Sequence, residues 1–122
     1  MSGTGNEWAI HLSDAAARDL SEIVDWTARR FDDAQARIYA ETLSKAIQAL
    51  AAGPEIPGVK RRDDILKGVS SFHIARHGRK GRHFLVFRVA EQDRAIEVLR
   101  ILHDAMDLVR HVSPTPPRVG NE

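Results

Sequence analysis

Residues 82–107 contain two apolar runs separated by a short polar linker, and this pattern limits the folds that the chain can adopt. The runs cover residues 83–89 and 95–102, and the linker is AEQDR. Two apolar runs joined by so few polar residues predict a β-hairpin. The second run carries one strong base, Arg100, and ends at His103. A charge inside an apolar strand costs free energy unless it is paired or functional, so Arg100 needs a specific partner or role.

Two amphipathic helices precede this hairpin. Ser13 stands at the N-cap position of the first helix, and Asp32 and Gln35 have capping-box spacing at the start of the second. Apolar residues recur on one face of each helix. They are Ala16, Leu20, Ile23, Thr27 and Phe31, then Ala36, Tyr39, Leu43, Ile47 and Leu50. Gly53 and Pro54 end the second helix, and the short connection between the helices predicts an antiparallel helical hairpin.

The remaining segments complete an α+β prediction. Strands are expected at residues 8–12, 71–77, 82–90 and 94–103, a loop at 55–69, and two helical turns at 104–111. The order is an N-terminal strand, a two-helix antiparallel hairpin, a three-stranded antiparallel meander and a short C-terminal helix, with the helices covering one face of a four-stranded sheet. Residues 8–112 form the single predicted domain, and residues 1–7 and 113–122 are predicted to be disordered.

The helical and strand periodicities also predict which side chains are buried. The expected core residues are Ala16, Leu20, Ile23, Phe31, Leu43, Ile47, Leu50, Val86, Val98 and Leu102. The chain has no cysteine, which excludes disulfides and thiolate zinc sites and fits a cytoplasmic protein. No apolar stretch approaches the ~20 residues of a membrane span, and the N-terminus does not resemble a signal peptide.

Positive charge is concentrated in residues 60–88, which carry nine Lys and Arg against two acidic residues. Such a block predicts a surface for nucleic acid or for an acidic protein partner. The alternative is a solvated hairpin edge, because Lys and Arg also protect exposed strands from mispairing. The candidate partner-binding residues are Lys60, Arg61, Arg62, Arg76, Arg79, Lys80 and Arg82.

Several segments together resemble toxins of the ParE/RelE superfamily, and the ParE branch (plasmid stabilisation proteins) in particular. These segments are LSDAAARDLSEIVDW, AQARIYAETLSKAIQALAAGP, HFLVFRV and IEVLRILHDAMD. The resemblance implies a type II toxin that forms a hetero-oligomer with a small, ParD-like antitoxin, whose disordered amphipathic segment wraps around the toxin. It implies no cofactor, no membrane association and no sequence-specific DNA binding by the toxin alone. ParE-like members inhibit DNA gyrase, whereas RelE-like members cut mRNA in the ribosome.

Metal-free RNA cleavage needs an acid, a base and cations for the phosphate. The candidates are His103, Arg100, Arg88, Arg76 and Lys67. RelE-like nucleases often place a tyrosine near the end of the last strand, but the single tyrosine here is Tyr39 in the second helix. This departure favours a gyrase inhibitor with no catalytic residues over a nuclease. A third reading is a degenerate toxin that only binds antitoxin.

The two most prominent candidates also have structural interpretations. His103 can make a helix-capping or inter-strand hydrogen bond, and Arg100 can pair with an acid such as Asp107 or Glu97. His73, His77 and His83 lack the spacing of a helical zinc motif, and residues 58–68 lack the glycines and the Lys-Ser/Thr ending of a phosphate loop. No metal site is predicted.

Overall fold

The computed structural model describes residues 7–75 and 81–105 of the 122-residue chain. It contains two helices, α1 (Asp14–Arg30) and α2 (Asp33–Ala49), and a sheet of five strands. The strands are β1 (Ala9–Leu12), β2 (Val59–Arg61), β3 (Val69–His73), β4 (His83–Ala90) and β5 (Ala95–His103). The predicted tail, most of the predicted C-terminal helix and residues 1–6 lie outside the described residues. The α+β class is confirmed.

The strand order in the sheet is β1-β5-β4-β3-β2. β1 pairs in parallel with β5, whereas the β5–β4, β4–β3 and β3–β2 pairs are antiparallel. The prediction of four strands was therefore wrong by one, because β2 lies in the segment that was expected to be a loop. The second predicted strand, residues 71–77, corresponds to β3, which begins two residues early, at Val69, and ends at His73.

Both helices begin where their caps predict. The Ser13 side chain accepts a hydrogen bond from the Ala16 N–H, and the Asp32 side chain accepts one from the Gln35 N–H. Only Phe31 and Asp32 separate α1 from α2, so the helices pack together as a helical hairpin. Ser13 also ties the start of α1 to the sheet, because its Oγ donates to the Leu99 carbonyl at 2.8 Å. The beginning of α1 is thus fixed beside β5.

Each face of the sheet has its own hydrophobic cluster. The helical side is filled mainly from the helices and the three longest strands; its buried residues include Leu43, Leu50, Phe72, Leu85, Phe87, Val98 and Ile101. On the opposite side, Ile65 of the loop that joins β2 to β3 is buried in a cluster with Val69, Val86 and Leu102. The sheet is therefore covered on both faces, which explains why β5 is almost continuously apolar.

Most of the predicted core is confirmed. Six of the ten residues are buried: Ala16, Leu43, Leu50, Val86, Val98 and Leu102. Leu20, Ile23 and Ile47 are half-buried and pack against the main cluster. The prediction for Phe31 was wrong, because its side chain is 63% exposed. Phe31 follows the last residue of α1 and contacts the ring of Trp26, which is itself exposed.

Candidate functional site

A groove of about 1360 Å³ lies between the helical hairpin and the C-terminal half of β5. β1 pairs with β5 only from Ala95 to Val98, so within the described residues no strand lies beside the rest of β5 on this side. The groove occupies that position. Its lining residues on α1 include Asp19, Glu22, Ile23 and Trp26, and those on α2 include Ile38, Tyr39 and Thr42. Arg82, just before β4, also lines the groove, together with His83 of β4 and with Arg100, Ile101 and His103 of β5.

The outer wall of the groove is apolar and open to solvent. Trp26 is 53% exposed and Ile38 is 55% exposed, and both belong to the groove with Phe31. The Trp26 and Phe31 rings meet edge to face, with their centroids 6.1 Å apart. Exposed aromatic and aliphatic side chains grouped in this way are typical of a surface that contacts another macromolecule. Sequence periodicity predicted Phe31 as a buried core residue, so the exposed apolar wall was not predicted.

The floor of the groove contains an ion pair between α1 and β5. Arg100 Nε donates to Asp19 Oδ2 at 2.7 Å, and Arg100 Nη2 donates to Asp19 Oδ1 at 3.0 Å. The Ile101 N–H also donates to Asp19 Oδ2 at 2.9 Å. The Asp19 carboxylate, which is 12% exposed, thus occupies a hydrogen-bonding position on the open edge of β5. Its hydrogen bond to Arg100 raises the pKa of the guanidinium.

This pair corrects the sequence interpretation of Arg100. The predicted partners were Asp107 and Glu97; Asp107 lies outside the described residues, and Glu97 accepts from Arg88 at 2.8 Å. The bulge between Val86 and Phe87, where the β4–β5 register shifts, lies opposite Arg100. Asp19 is separated from Arg100 by 81 positions, and the sequence shows it only as one polar residue of α1.

The inner end of the groove is polar and is built around Tyr39. The Tyr39 hydroxyl accepts a hydrogen bond from the Arg82 N–H at 3.0 Å and lies 2.7 Å from His83 Nδ1. We assign the hydroxyl proton to Nδ1, because the oxygen already accepts from Arg82, and this assignment places the ring proton of His83 on Nε2. Partial burial, followed by the proximity of His103, lowers the pKa of His83 to about 4, so the ring is neutral at pH 7. Burial also raises the pKa of Tyr39.

Gly81 allows Tyr39 to approach so closely. A Cβ atom at position 81 would lie 2.5 Å from Ile74 Cδ1 and 3.2 Å from the Tyr39 hydroxyl. Ile74 is buried and cannot easily move away. Only glycine fits here without displacing the neighbouring side chains. Tyr39 therefore lies beside the start of β4 in the fold, although the sequence has no tyrosine near the end of β5.

Two further histidines complete this end of the molecule. His83 and His103 are cross-strand partners whose ring centroids are 5.2 Å apart. His103 Nδ1 accepts from the Ala105 N–H, a local backbone contact of the kind expected for a structural histidine. His73 Nε2 donates to Asp104, which also accepts from Arg82 Nε. The hydrogen bond from His73, supplemented by that from Arg82, lowers the pKa of Asp104.

The described cations of the basic block are largely paired with nearby acids. Arg61 binds Asp63, Arg62 binds Asp64 and Arg82 binds Asp104, each at 3.0–3.1 Å. Lys60 lies on the short edge strand β2 and Lys67 in the loop before β3. Arg76, Arg79 and Lys80 lie outside the described residues. The net charge of residues 60–88 therefore overstates the positive potential of the part of the block that the structure describes.

Arg76 lies outside the described residues, and the described nuclease candidates do not converge on one point. His103 faces His83 at one end of the β4–β5 ladder, whereas Arg88 faces Glu97 nearer the other end. The five residue steps from His83 to Arg88 span ~17 Å of extended strand. Within residues 7–75 and 81–105, no group of three His, Cys, Asp or Glu side chains could hold a metal ion. In the same residues, no helix combines the length and hydrophobicity needed to span a bilayer.

Solved structures with this arrangement of helices and sheet are toxin–antitoxin complexes. The RelBE2 toxin–antitoxin complex from Mycobacterium tuberculosis matches with a TM-score of 0.53 and 24% identity, covering 82% of this chain and 94% of that chain. The chromosomal ParDE system from P. aeruginosa matches with a TM-score of 0.56 and 20% identity, covering 79% and 95%. At these identities the similarity establishes the fold, which is that of small proteins found in such complexes.

Sequence comparison gives the particular family. The family model described as ParE toxin of type II toxin–antitoxin system, parDE, matches residues 10–108. Toxin ParE1 of Mycobacterium tuberculosis H37Rv is 37% identical over 101 residues, covering 83% of this chain and 94% of that protein. Toxin ParE1 of Caulobacter vibrioides is 30% identical over the same coverage. The chain belongs to the ParE toxin family of type II toxin–antitoxin systems.

Proposed function

We propose that this chain is an active cytoplasmic toxin that inhibits DNA gyrase through protein–protein contact and is neutralised by a cognate ParD-like antitoxin. The observation that carries the proposal is the composition of the groove, which combines an exposed apolar wall with arginines already bound to carboxylates. Apolar and aromatic side chains favour contact with protein. A guanidinium paired with a carboxylate must give up that partner before it binds a phosphate. The groove thus suits a protein better than RNA.

The antitoxin part of this proposal rests on the shape of the groove. Its apolar wall offers Trp26, Phe31 and Ile38 to the apolar side of an amphipathic segment that orders on binding. The exposed residues Lys60, Arg61 and Arg82 and the half-buried Arg62, together with Arg76, Arg79 and Lys80, steer an acidic part of the same antitoxin. Steering of this kind acts mainly on the association rate. The two interactions together give a hetero-oligomer.

The antitoxin proposal is tested with the product of the neighbouring open reading frame. Ile38→Asp places a charge in the apolar wall and should weaken binding at least ~10-fold, or about 1.4 kcal/mol. Leu12→Asp is the matched control, because Leu12 is also an exposed apolar residue but does not line the groove. If both variants fold and weaken antitoxin binding equally, the groove is not the antitoxin-binding surface.

The target is tested by inducing the toxin and measuring two activities. Inhibition of supercoiling by purified gyrase, with intact transcripts, is the expected result. If transcripts are cut within translated regions while supercoiling is normal, the target is mRNA and not gyrase. Normal growth, supercoiling and transcripts after induction would identify a degenerate toxin that only binds antitoxin.

One observation favours the nuclease as a second candidate. Tyr39 lies within hydrogen-bond distance of His83, which in turn faces His103, so a tyrosine and two histidines do meet at the end of the hairpin. A tyrosine and a histidine can exchange protons with a reacting hydroxyl. Against this reading, the Tyr39 hydroxyl is already engaged on both sides, and its raised pKa disfavours the phenolate. Gyrase therefore remains the proposed target.

A further inference from the structure

Two imidazole N–H groups at the inner end of the groove lack a partner in the described part of the chain. His83 Nδ1 faces the Tyr39 hydroxyl, and His103 Nδ1 accepts from the Ala105 N–H. With the Tyr39 hydroxyl proton assigned to His83 Nδ1, each neutral ring carries its proton on Nε2. No hydrogen bond within residues 7–75 and 81–105 uses either Nε2 atom. Both rings line the groove, and their centroids are 5.2 Å apart.

From this geometry we infer that the His83–His103 pair is a binding site for a carboxylate, supplied by an acidic side chain of the antitoxin segment that occupies the groove. The inference rests on the proposed function, since it assigns a chemical group to one part of the same groove. Two N–H donors on perpendicular rings can each bind one oxygen of a carboxylate. The apolar wall at Trp26, Phe31 and Ile38 then holds the apolar residues beside that acid.

The charges around the groove select a carboxylate on an apolar segment over a nucleic-acid backbone. Asp19 and Glu22 of α1 line the groove and would repel a chain of phosphates. The neighbouring guanidinium groups are already bound, that of Arg82 to Asp104 and that of Arg100 to Asp19. A single carboxylate needs only the two imidazole donors. An RNA strand needs several cations along its path.

The His83 ring offers a neutral donor at pH 7. Burial, His103 and His73 oppose its imidazolium form, whereas Asp104 and Asp19 favour it, and the pKa is lowered to about 4. The groups that face the pair are Tyr39 from α2, His73 from β3, Asp19 from α1, and Arg82 and Asp104 beside the strand ends. Carboxylate binding is therefore tested near neutral pH, where the acid is ionised and His83 is neutral.

The test uses 3-phenylpropionate as the probe, because it joins a carboxylate to an apolar ring. Its binding to the full chain is followed through the imidazole ¹⁵N resonances of His83 and His103. We expect a dissociation constant of about 1–10 mM. It is measured near about pH 7, where the probe is ionised. The neutral 3-phenylpropanamide, which has the same shape, should bind at least ~5-fold more weakly, a difference of about 1 kcal/mol.

Variants locate the site and separate the two proposals. His103→Gln should weaken probe binding, whereas His11→Gln, a change at an exposed histidine on β1, should not. Equal binding of acid and amide, or resonance shifts confined to other histidines, would overturn the inference. Tighter binding of phenyl phosphate than of the carboxylate would assign the pair to a phosphate. If the wild-type protein binds antitoxin but not the probe, the carboxylate site fails and the antitoxin proposal stands.

Discussion

The Tyr39 hydroxyl joins α2 to the first residue of β4 through His83 Nδ1, at 2.7 Å and across 44 positions of sequence. The same oxygen accepts a hydrogen bond from the Arg82 N–H. The Tyr39 hydroxyl is therefore hydrogen-bonded to both Arg82 and His83, where the β4–β5 hairpin begins. This contact fixes the inner end of the groove. The folded structure also favours the neutral form of the His83 ring, whose pKa is lowered to about 4.

The first prediction concerns the space in which Tyr39 sits. Gly81→Ala should destabilise the fold by about 1–3 kcal/mol, because the added Cβ overlaps the buried Ile74 side chain. Chemical denaturation measures the change in the free energy of unfolding. The His83 ring should also show altered ¹⁵N shifts, since Tyr39 must move. Wild-type stability and unchanged His83 resonances in the Gly81→Ala variant would contradict the close packing.

The second prediction is a loss of stability in mild acid that depends on His83. The folded-state pKa of about 4 lies below the ordinary value of 6.5, so the unfolded chain binds more protons between these values. Stability should therefore fall as the pH drops from about 6.5 toward about 4, by on the order of 1–2 kcal/mol after allowance for the exposed part of the ring.

His83→Gln should flatten this part of the stability profile, measured by denaturation at several pH values. Asp104 has a lowered pKa, so it loses its contribution only at more acidic pH, and the two effects are separable. A variant that keeps the full wild-type slope between about pH 6.5 and about pH 4 would show that another group causes it.

The third prediction compares two ion pairs that differ in burial. Asp19→Ala should cost about 2–4 kcal/mol, because it leaves Arg100 partly buried without its carboxylate and removes an acceptor from the Ile101 N–H. Glu97→Ala breaks the exposed pair with Arg88 and should cost at most about 1 kcal/mol. Similar losses for the two variants in urea unfolding would mean that the Asp19 pair is not a structural connection between α1 and β5.

The fourth prediction concerns toxicity. His103→Gln keeps a polar side chain but removes a group that can transfer protons near neutral pH. A gyrase inhibitor should retain most of its toxicity with this change, as measured by growth after induction. A nuclease that uses His103 as acid or base should lose at least ~100-fold in RNA cleavage. A melting curve of the variant is the control, since His103 also bonds the Ala105 N–H.

Local chemistry in the sequence was enough to predict the helices and their starts. Ser13 and Asp32 act as caps because their side chains bond backbone groups only three positions away. β2 was missed because three residues, Val59–Arg61, are too few to show a period among the surrounding prolines and glycines. Its pairing with β3 is a tertiary contact, which local pattern does not contain.

The candidate site was harder to predict because it depends on contacts between distant segments. Arg100 was recognised as a charge that needed a partner, but its partner, Asp19, comes from a helix 81 positions earlier. Phe31 matched the helical period, yet helical periodicity does not show where the sheet beneath a helix ends. Tyr39 was assigned to the core stripe of α2. Its hydrogen bond to His83 is a tertiary contact that the glycine at position 81 leaves room for, so the sequence pattern does not contain it.

The parallel pairing of β1 with β5 has a consequence for when the toxin can form during synthesis. β1 and the start of α1 reach their partners only after β5 has left the ribosome, because Ser13 and Leu99 are 86 positions apart. A chain interrupted before β5 lacks the strand to which β1 and α1 attach, and with it the floor of the groove. A nascent or truncated toxin should therefore be harmless and open to proteolysis until β5 has been synthesised and can pair with β1.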